Sequence, residues 1–199
     1  MSRAAPVQHI NSFETFLELE SISLERHEFV DGNLFVMAGG TDRHNWVTMM
    51  LVALLMSPAL QAGKRSYATD VLIRTPDDVG YYPDFFILGD TSLDTSKVKR
   101  RPTVIIEVLS PSTEAIDRSE KLRNYRSIPS LEQYILLSQD EALGETYSRQ
   151  PDGSWRHDIL QNTATLEIPS IGFSVLLTAL FLTIKCTYGH GRYENLPEG

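Results

Sequence analysis

Residues 103–125 read TVIIEVLSPSTEAIDRSEKLRNY and predict a buried strand followed by a turn and a helix. The first seven of these residues are β-branched or apolar except for Glu107, which is the composition of a central strand. Ser112 or Thr113 can cap the helix that follows. The apolar run 131–138 then resumes as a strand, so this part of the chain predicts a strand–helix–strand unit.

Turn and capping signals predict the remaining elements. The apolar runs 26–30 and 33–37 are joined by Asp31-Gly32, a dipeptide that supplies the positive φ of tight hairpin turns. Ser12 can cap a helix through about residue 19, and Thr41 can begin a helix to about residue 56, before Pro58. Further strands are predicted at 68–74 and 82–88, a helix at 113–127, a second hairpin around 151–153 and a closing helix at 175–184.

The composition is that of an ordinary globular protein. With 199 residues, of which 42% are hydrophobic, the chain can bury the core of a single domain, predicted over 1–186 and followed by a polar, flexible tail at 187–199. The single cysteine, Cys186, cannot form an internal disulfide, so we expect a cytoplasmic protein. The apolar stretches fall short of the roughly 20 residues that a membrane helix needs. The expected fold class is α/β (α+β).

Charge and glycine patterns limit the possible functions. A net charge of −8 argues against a protein that binds polyanions non-specifically, although metal-site carboxylates contribute to it and bound cations would offset them. A nucleotide binder of the Rossmann type is excluded, because no glycine-rich phosphate loop follows a predicted strand.

Two carboxylates stand out in apolar strands. Asp84 follows Pro83 within YYPDFFILG, and Glu107 interrupts VIIEVLS. A buried carboxylate is costly unless a cation compensates it, and Mg²⁺ takes one or two carboxylates together with water and phosphate oxygens. The alternative is that both residues lie at strand ends in solvent, or that each pairs with an arginine.

The predicted helix after Glu107 carries three polar residues at intervals of four. Asp117, Lys121 and Tyr125 therefore lie on roughly one face, and Lys121 could point back over the strand end. An ammonium there would orient water and stabilise charge developing on a phosphate. The alternative is an ordinary exposed Asp–Lys pair.

Three motifs carry a family resemblance: YPD at 82–84, EVLSPST at 107–113 and DRSEKLRNY at 117–125. Together they resemble the Uma family of restriction-endonuclease-like proteins in the PD-(D/E)XK superfamily. The resemblance implies an α-β-β-β-α-β core with a mixed central sheet and an N-terminal hairpin. It also implies use of Mg²⁺ or Mn²⁺, with Asp84 and Glu107 as catalytic and metal-binding residues.

This sequence departs from the superfamily pattern at one position and matches the family pattern at three further positions. Leu109 stands where the superfamily has its lysine, so the resemblance implies that Lys121 supplies the catalytic ammonium, with Tyr125 supporting it. Glu28 would complete the metal shell or pair with an arginine. His44 would be a neutral ring that donates to a carboxylate or phosphate, or a surface residue. Asp70 would ligate the metal, orient Lys121 or form a buried ion pair.

The implied partner is nucleic acid, with DNA favoured by family analogy, and the implied assembly is a homodimer. A rival hypothesis is a non-catalytic binding or assembly module on the nuclease fold, which the acidic net charge favours. The basic residues that could contact phosphates, or could instead form a solvated face, are Lys97, Lys99, Arg100, Arg101 and Arg118.

Overall fold

The computed structural model describes residues 3, 5–37, 39–89 and 96–188, with the side chains of 183–188 excepted. The helices are α1 Phe13–Ile22, α2 Asp42–Gln61, α3 Glu114–Ile116, α4 Leu122–Arg126 and α5 Leu177–Tyr188, with a π turn at Asp117–Lys121 and a 3₁₀ turn at Pro169–Ile171. The strands are β1 Gln8–His9, β2 His27–Val30, β3 Asn33–Val36, β4 Arg65–Ala68, β5 Leu72–Arg74, β6 Gly80–Tyr81, β7 Phe85–Leu88, β8 Val98–Lys99, β9 Pro102–Leu109, β10 Gln133–Ser138, β11 Leu143–Arg149, β12 Trp155–Gln161, β13 Thr165–Ile168 and β14 Phe173–Leu176. Within the described residues, no helix combines the length and hydropathy needed to cross a membrane.

The central sheet has the strand order β12-β11-β10-β9-β7-β4. Strands β9 and β10 are parallel, whereas β7 pairs with both β4 and β9 in antiparallel fashion, so the sheet is mixed. The helix predicted after β9 is present, but the π turn divides it into α3 and α4; we call this three-part unit the interrupted helix. From α2 to β10 these elements give the α-β-β-β-α-β core that the family resemblance implies.

Strand β9 is buried along its whole length because both faces of the central sheet are covered. Val104 and Ile106 pack in the core that α2 and α5 cover. Ile105 packs in the second core, where Tyr125 of the interrupted helix and Tyr134 of β10 also lie. Glu107 has the same parity as Ile105 and is therefore directed toward the interrupted helix.

A second sheet, β1-β3-β2-β6-β5-β8, lies beside α1. The predicted hairpin is confirmed, with Asp31 at φ 49° and Gly32 at φ 79° connecting β2 to β3. Ser12 caps α1, because its hydroxyl accepts a hydrogen bond from the Thr15 N–H. The cap directs Phe13 and Phe16 into a small core shared with Phe29.

The predicted strand 68–74 is wrong as a single element, whereas the predicted strand 82–88 is present but begins later. Chain segment 68–74 is divided between β4 of the central sheet and β5 of the second sheet. Thr69 and Asp70 both have positive φ, at 46° and 35°, and the chain leaves the central sheet at this turn. In the second segment, β7 begins only at Phe85, because the preceding residues connect it to β6.

Helix α2 continues through Pro58 to residue 61, beyond its predicted end. Leu55 and Ala59 are buried on the same side of α2, so packing supports a last turn that proline alone disfavours. The closing helix begins at Leu177, since residues 173–176 instead form β14 and pair with β13. From residue 189 onward, the predicted tail lies outside the described residues.

Candidate active site

The register of the central sheet brings two carboxylates together. Phe85 of β7 pairs with Ile106 of β9, so Asp84 lies opposite Glu107. The Asp84 N–H donates to Glu107 Oε2 at 3.1 Å, and the Val108 N–H donates to Asp84 Oδ2 at 2.7 Å. Both carboxylates are therefore fixed by the backbone of the neighbouring strand, which is a rigid support for a site.

The interrupted helix places an ammonium against this pair. Lys121 Nζ lies 3.0 Å from Glu107 Oε1, 3.1 Å from Asp117 Oδ1 and 3.4 Å from Glu28 Oε1. Asp117 and Lys121 are the two ends of the π turn, and π turns inside helices are common at functional sites. Asp117 Oδ1 is buried without a hydrogen bond of good geometry among the described residues, so the Lys121 charge compensates it.

Tyr125 completes the environment of Glu107. Its hydroxyl donates to Glu107 Oε1 at 3.0 Å, and its ring is fully buried one turn beyond Lys121. The spacing of four residues from Asp117 to Lys121 to Tyr125 thus directs all three side chains toward one carboxylate cluster. The alternative of an exposed Asp–Lys pair is wrong, because Asp117 and Lys121 are 1% and 7% exposed.

The cluster changes the acidity of its own members. Burial raises the pKa of Glu107 well above its ordinary value, the Lys121 ammonium opposes this rise, and the negative charge of Asp84 adds to it. Burial on its own lowers the pKa of Lys121, but the carboxylates of Glu107 and Asp117 outweigh it and raise that pKa. Lys121 is therefore held as a charged ammonium.

His44 reaches the same site from the first turn of α2. The Thr41 hydroxyl caps this helix by accepting from the His44 N–H, and His44 Nε2 lies 3.1 Å from Asp84 Oδ2. Burial lowers the pKa of His44, but the Asp84 carboxylate outweighs burial and raises it. The raised pKa of His44 is opposite in direction to the expectation that the helix N-terminus favours a neutral ring.

Glu28 and an arginine that the sequence analysis missed close another side of the site. Arg3 Nη2 lies 2.7 Å from Glu28 Oε2 and 2.8 Å from Glu120 Oε1, and its guanidinium stacks over the Phe35 ring at 4.3 Å. Glu28 thus pairs with an arginine and also faces Lys121. No sequence pattern marks Arg3, because it precedes the first predicted element.

These side chains line one cavity of about 460 Å³. The charged residues in its lining are Arg3, Glu28, Asp84, Glu107, Asp117 and Lys121, together with His44. Carboxylates outnumber ammonium and guanidinium groups, and carboxylate oxygens are the ligands that Mg²⁺ prefers. Asp84 and Glu107 therefore fit a divalent cation in donor chemistry and in charge.

The described residues contain no group of three or more histidine, cysteine, aspartate or glutamate side chains set to hold a metal ion. A cation at Asp84 and Glu107 would accordingly take its remaining ligands from water or from substrate oxygens, as Mg²⁺ commonly does.

The structure does not bring Asp70 into the cluster. Its side chain is 75% exposed and lies 3.6 Å from Arg26 Nε, in the turn between β4 and β5. The predicted roles of Asp70 as a ligand, as a partner of Lys121 or in a buried ion pair are therefore wrong.

Two of the predicted phosphate-contacting residues are engaged elsewhere. Lys99 is buried, with its ammonium over the Tyr67 ring, so it cannot meet a phosphate at the surface. Arg118 forms ion pairs with Glu114 and Glu145 at 2.6 and 2.7 Å. The remaining candidates Lys97, Arg100 and Arg101 are exposed.

The crystal structure of a "putative nuclease belonging to DUF820" from Anabaena variabilis ATCC 29413 has the same fold. It superposes with a TM-score of 0.73 over 88% of this chain and 99% of that chain, at 16% identity.

Two curated relatives come from Synechocystis sp. (strain ATCC 27184 / PCC 6803 / Kazusa). "Uncharacterized protein slr1290" is 30% identical over 182 residues, covering 90% of this chain and 95% of that protein. "Uncharacterized protein sll1609" is 31% identical over 147 residues, covering 70% and 81% respectively. Residues 13–180, which include every charged residue of the cavity lining except Arg3, match the family Uma2, described as "Putative restriction endonuclease". This chain therefore belongs to the Uma2 family.

Proposed function

We propose that this protein is an endonuclease that hydrolyses DNA phosphodiester bonds with a divalent cation, Mg²⁺ or Mn²⁺, held by Asp84 and Glu107. Membership of the Uma2 family supports nuclease function in general. The observation that carries the more specific proposal is the convergence of three residues into one cavity: Asp84 just before β7, Glu107 of β9 and Lys121 of the interrupted helix.

When bound, the cation would polarise the scissile phosphate and favour deprotonation of an attacking water. Asp84 and Glu107 supply the oxygens that hold it, and hydrogen bonds from Val108 and Asp84 main-chain groups keep those oxygens in place. His44 fixes the Asp84 carboxylate from the side of α2. The site is thus preorganised before substrate enters.

Lys121 is the catalytic cation of the protein itself. Its ammonium stays charged in a buried site, where its field acts on a neighbouring phosphate with little screening. We assign it to stabilise the negative charge that develops on the phosphate oxygens during hydrolysis. Asp117, Glu28 and Tyr125 are assigned as positioning residues, because their polar contacts are with Lys121 or Glu107.

DNA binding would use the exposed basic residues near the start of β9. Lys97, Arg100 and Arg101 lie on the surface, where each neutralised phosphate would add affinity that falls with salt. We further propose a cytoplasmic homodimer, in which two copies of the site address the two strands of a duplex.

The rival function is a non-catalytic binding module. It is favoured by the net charge of −8, and by the three carboxylates that already surround the Lys121 ammonium. On this alternative the ammonium serves only to neutralise buried carboxylates, and no metal is needed.

Cleavage of supercoiled plasmid with Mg²⁺ or Mn²⁺ distinguishes the two functions. The wild type should produce nicked or linear DNA, and Asp84→Asn and Glu107→Gln should reduce the rate by roughly 100-fold or more. Asp77→Asn is the matched control, because Asp77 lies in an exposed turn outside the cavity. Wild-type cleavage by folded Asp84→Asn would exclude the proposed site, and inactivity of the wild type in both metals would favour the rival.

A further inference from the structure

The described arginines differ in whether they have a carboxylate partner. Arg3, Arg74 and Arg118 are examples that form ion pairs. The chain has 26 acidic and 18 basic residues, so carboxylates are in excess and most arginines can find one. Within the part of the chain that the structure describes, the arginines that form no ion pair are Arg65, Arg100, Arg101, Arg123, Arg126 and Arg149. We call these residues the arginine edge, because they lie together at one edge of the central sheet.

The pairing of β4, β7 and β9 places the first three arginines at this edge. Arg65 begins β4 and pairs with Leu88 of β7, which in turn pairs with Pro102 of β9. Arg100 and Arg101 directly precede Pro102, and both are exposed. All three arginines therefore lie at the end of the central sheet where β9 begins.

Hydrogen bonds bring the other three arginines to the same end of the sheet. The Ser130 hydroxyl donates to the Pro102 carbonyl at 2.8 Å, which holds the segment after the interrupted helix beside the start of β9. Arg149 ends β11, and its Nη2 donates to the main-chain carbonyl of Arg126 at 3.1 Å. Arg123 lies one turn before Arg126 on α4, and the side chains of both are exposed.

An indole ring holds two of these guanidinium groups in place. The ring centroid of Trp155 lies 4.5 Å from Arg149 Cζ and 5.4 Å from Arg126 Cζ, so both cations contact one aromatic side chain. Arg149 also donates to the carbonyls of Leu131 and Ile128, which gives it a structural role. Within the described residues, the Arg126 side chain donates no hydrogen bond, so its N–H groups are available to an incoming anion.

The arginine edge and the candidate active site lie at opposite ends of the central sheet. Glu107 lies five residues beyond Pro102 along β9, which is a distance of about 17 Å. Carboxylates outnumber cations in the cavity lining at one end. At the other end, the described carboxylates next to the same strand ends are Glu132 and Asp152, which the six arginines outnumber. The two ends therefore differ in the sign of their charge.

The chemistry of these arginines fits phosphate groups. A guanidinium without a carboxylate partner can donate two parallel N–H groups to a phosphate. The net charge of −8 disfavours a polyanion over most of the surface, so a polyanion is attracted only where cations cluster. Duplex DNA carries one negative charge per roughly 1.7 Å of its axis, so a duplex along this edge can meet several guanidinium groups at once.

We propose that the arginine edge anchors duplex DNA by its phosphate backbone, apart from the cavity in which the phosphodiester bond is cleaved. The choice of DNA rests on the proposed nuclease function. The surface extends the DNA-binding role of Arg100 and Arg101 to Arg123 and Arg126 at the end of the interrupted helix. The separation of about 17 Å corresponds to about five base pairs, so the duplex must extend at least this far from the cleaved bond.

Fluorescence anisotropy of a labelled duplex of about 20 base pairs tests this surface, with the full chain in EDTA and at salt concentrations from about 50 to 200 mM. The double variant of Arg101→Gln and Arg126→Gln should raise Kd roughly tenfold and reduce the salt slope by about two. The matched control is the double variant of Arg26→Gln and Arg43→Gln, which removes the same charge from side chains that are 45% and 50% exposed and form ion pairs. Its Kd should stay within about twofold of the wild-type value.

Three results would overturn the proposal: no binding of the duplex by the wild type, an unchanged Kd in the arginine-edge variant, or equal weakening in both double variants. The last would show an effect of net charge and not of position. Arg101 and Arg126 are exposed, so the variant should fold, which circular dichroism checks. Because EDTA excludes metal-dependent cleavage, these results do not depend on the nuclease reaction. Plasmid left uncut in Mg²⁺ and Mn²⁺ would count against the nuclease and not against this surface.

Discussion

Lys121 Nζ lies 3.0 Å from Glu107 Oε1, fourteen residues away in sequence, and both side chains are buried. This pair joins the interrupted helix to the middle of the central sheet. Removing one member of a buried ion pair leaves an uncompensated charge, which commonly costs about 3–5 kcal/mol of unfolding free energy. Loss of either side chain should therefore destabilise the fold.

Lys121→Met should lower the free energy of unfolding by about 3 kcal/mol or more, because Glu107 and Asp117 lose their cation. Adding Glu107→Gln to this variant should recover part of the loss, since one buried negative charge is then removed. Urea denaturation of the two single variants and the double variant measures this coupling. Additive effects would show that the two groups do not interact in solution.

Asp117→Asn should lower kcat by roughly tenfold and leave KM for DNA nearly unchanged. Asp117 holds Lys121 at 3.1 Å and is assigned a positioning role, so its loss should misplace the ammonium rather than weaken binding. Glu114→Gln is the control in the same helical unit, because Glu114 pairs with Arg118 at the surface. A change confined to KM would contradict the positioning role.

Arg3→Ala should raise KM for DNA by roughly tenfold, with a smaller effect on kcat. Arg3 neutralises Glu28 and Glu120 at the cavity, and its loss would leave both carboxylates to repel the DNA backbone. Steady-state cleavage at two salt concentrations measures the effect, which should shrink at higher salt. Arg156→Ala serves as a control for the loss of a surface arginine. If Arg156→Ala raised KM as much as Arg3→Ala, the effect would come from net charge and not from the position of Arg3.

The environment of Glu145 should make the free energy of unfolding depend on pH. Burial alone raises its pKa, but hydrogen bonds from Arg118 and Tyr147 outweigh burial and hold the pKa below the ordinary 4.5. A lowered folded-state pKa stabilises the native state above the unfolded-state pKa, and this contribution is lost as pH falls through the folded-state value. Glu145 therefore stabilises the fold at neutral pH and not in strong acid.

Glu145→Gln should accordingly be less stable than the wild type at roughly pH 6 and should approach it at roughly pH 3. Urea denaturation at both pH values measures the difference, with Glu141→Gln as a control that forms none of these hydrogen bonds. A difference between Glu145→Gln and wild type that stays constant with pH would contradict the assignment.

Local signals in the sequence predict much of this fold. The Ser12 cap and the Asp31-Gly32 turn each act over a few residues, so their physics is contained in the sequence nearby. The need of Asp84 and Glu107 for compensating groups could also be predicted from the sequence. A carboxylate within an apolar segment is costly to bury unless it has a partner. Their meeting depends only on the pairing of adjacent strands.

The predictions from sequence are wrong or incomplete where tertiary contacts determine the local conformation. Nothing in Thr69-Asp70 indicates positive φ, because neither residue is glycine and the turn is imposed by the two sheets that it connects. Pro58 stays helical because the flanking Leu55 and Ala59 are buried. Arg3 reaches the site by folding of the N-terminal segment, which no local pattern predicts.

The proposed metal site can be tested by calorimetric titration of Mn²⁺ into the wild type, Asp84→Asn and Glu107→Gln, each confirmed as folded by circular dichroism. A phosphorothioate DNA that resists cleavage should be present, because substrate oxygens can add to the few protein ligands of a site with two carboxylates. We expect Mn²⁺ to bind the wild type and Asp77→Asn alike, and not to bind Asp84→Asn or Glu107→Gln. Unchanged Mn²⁺ binding by Asp84→Asn and Glu107→Gln, or no binding by the wild type, would contradict a metal site at these carboxylates.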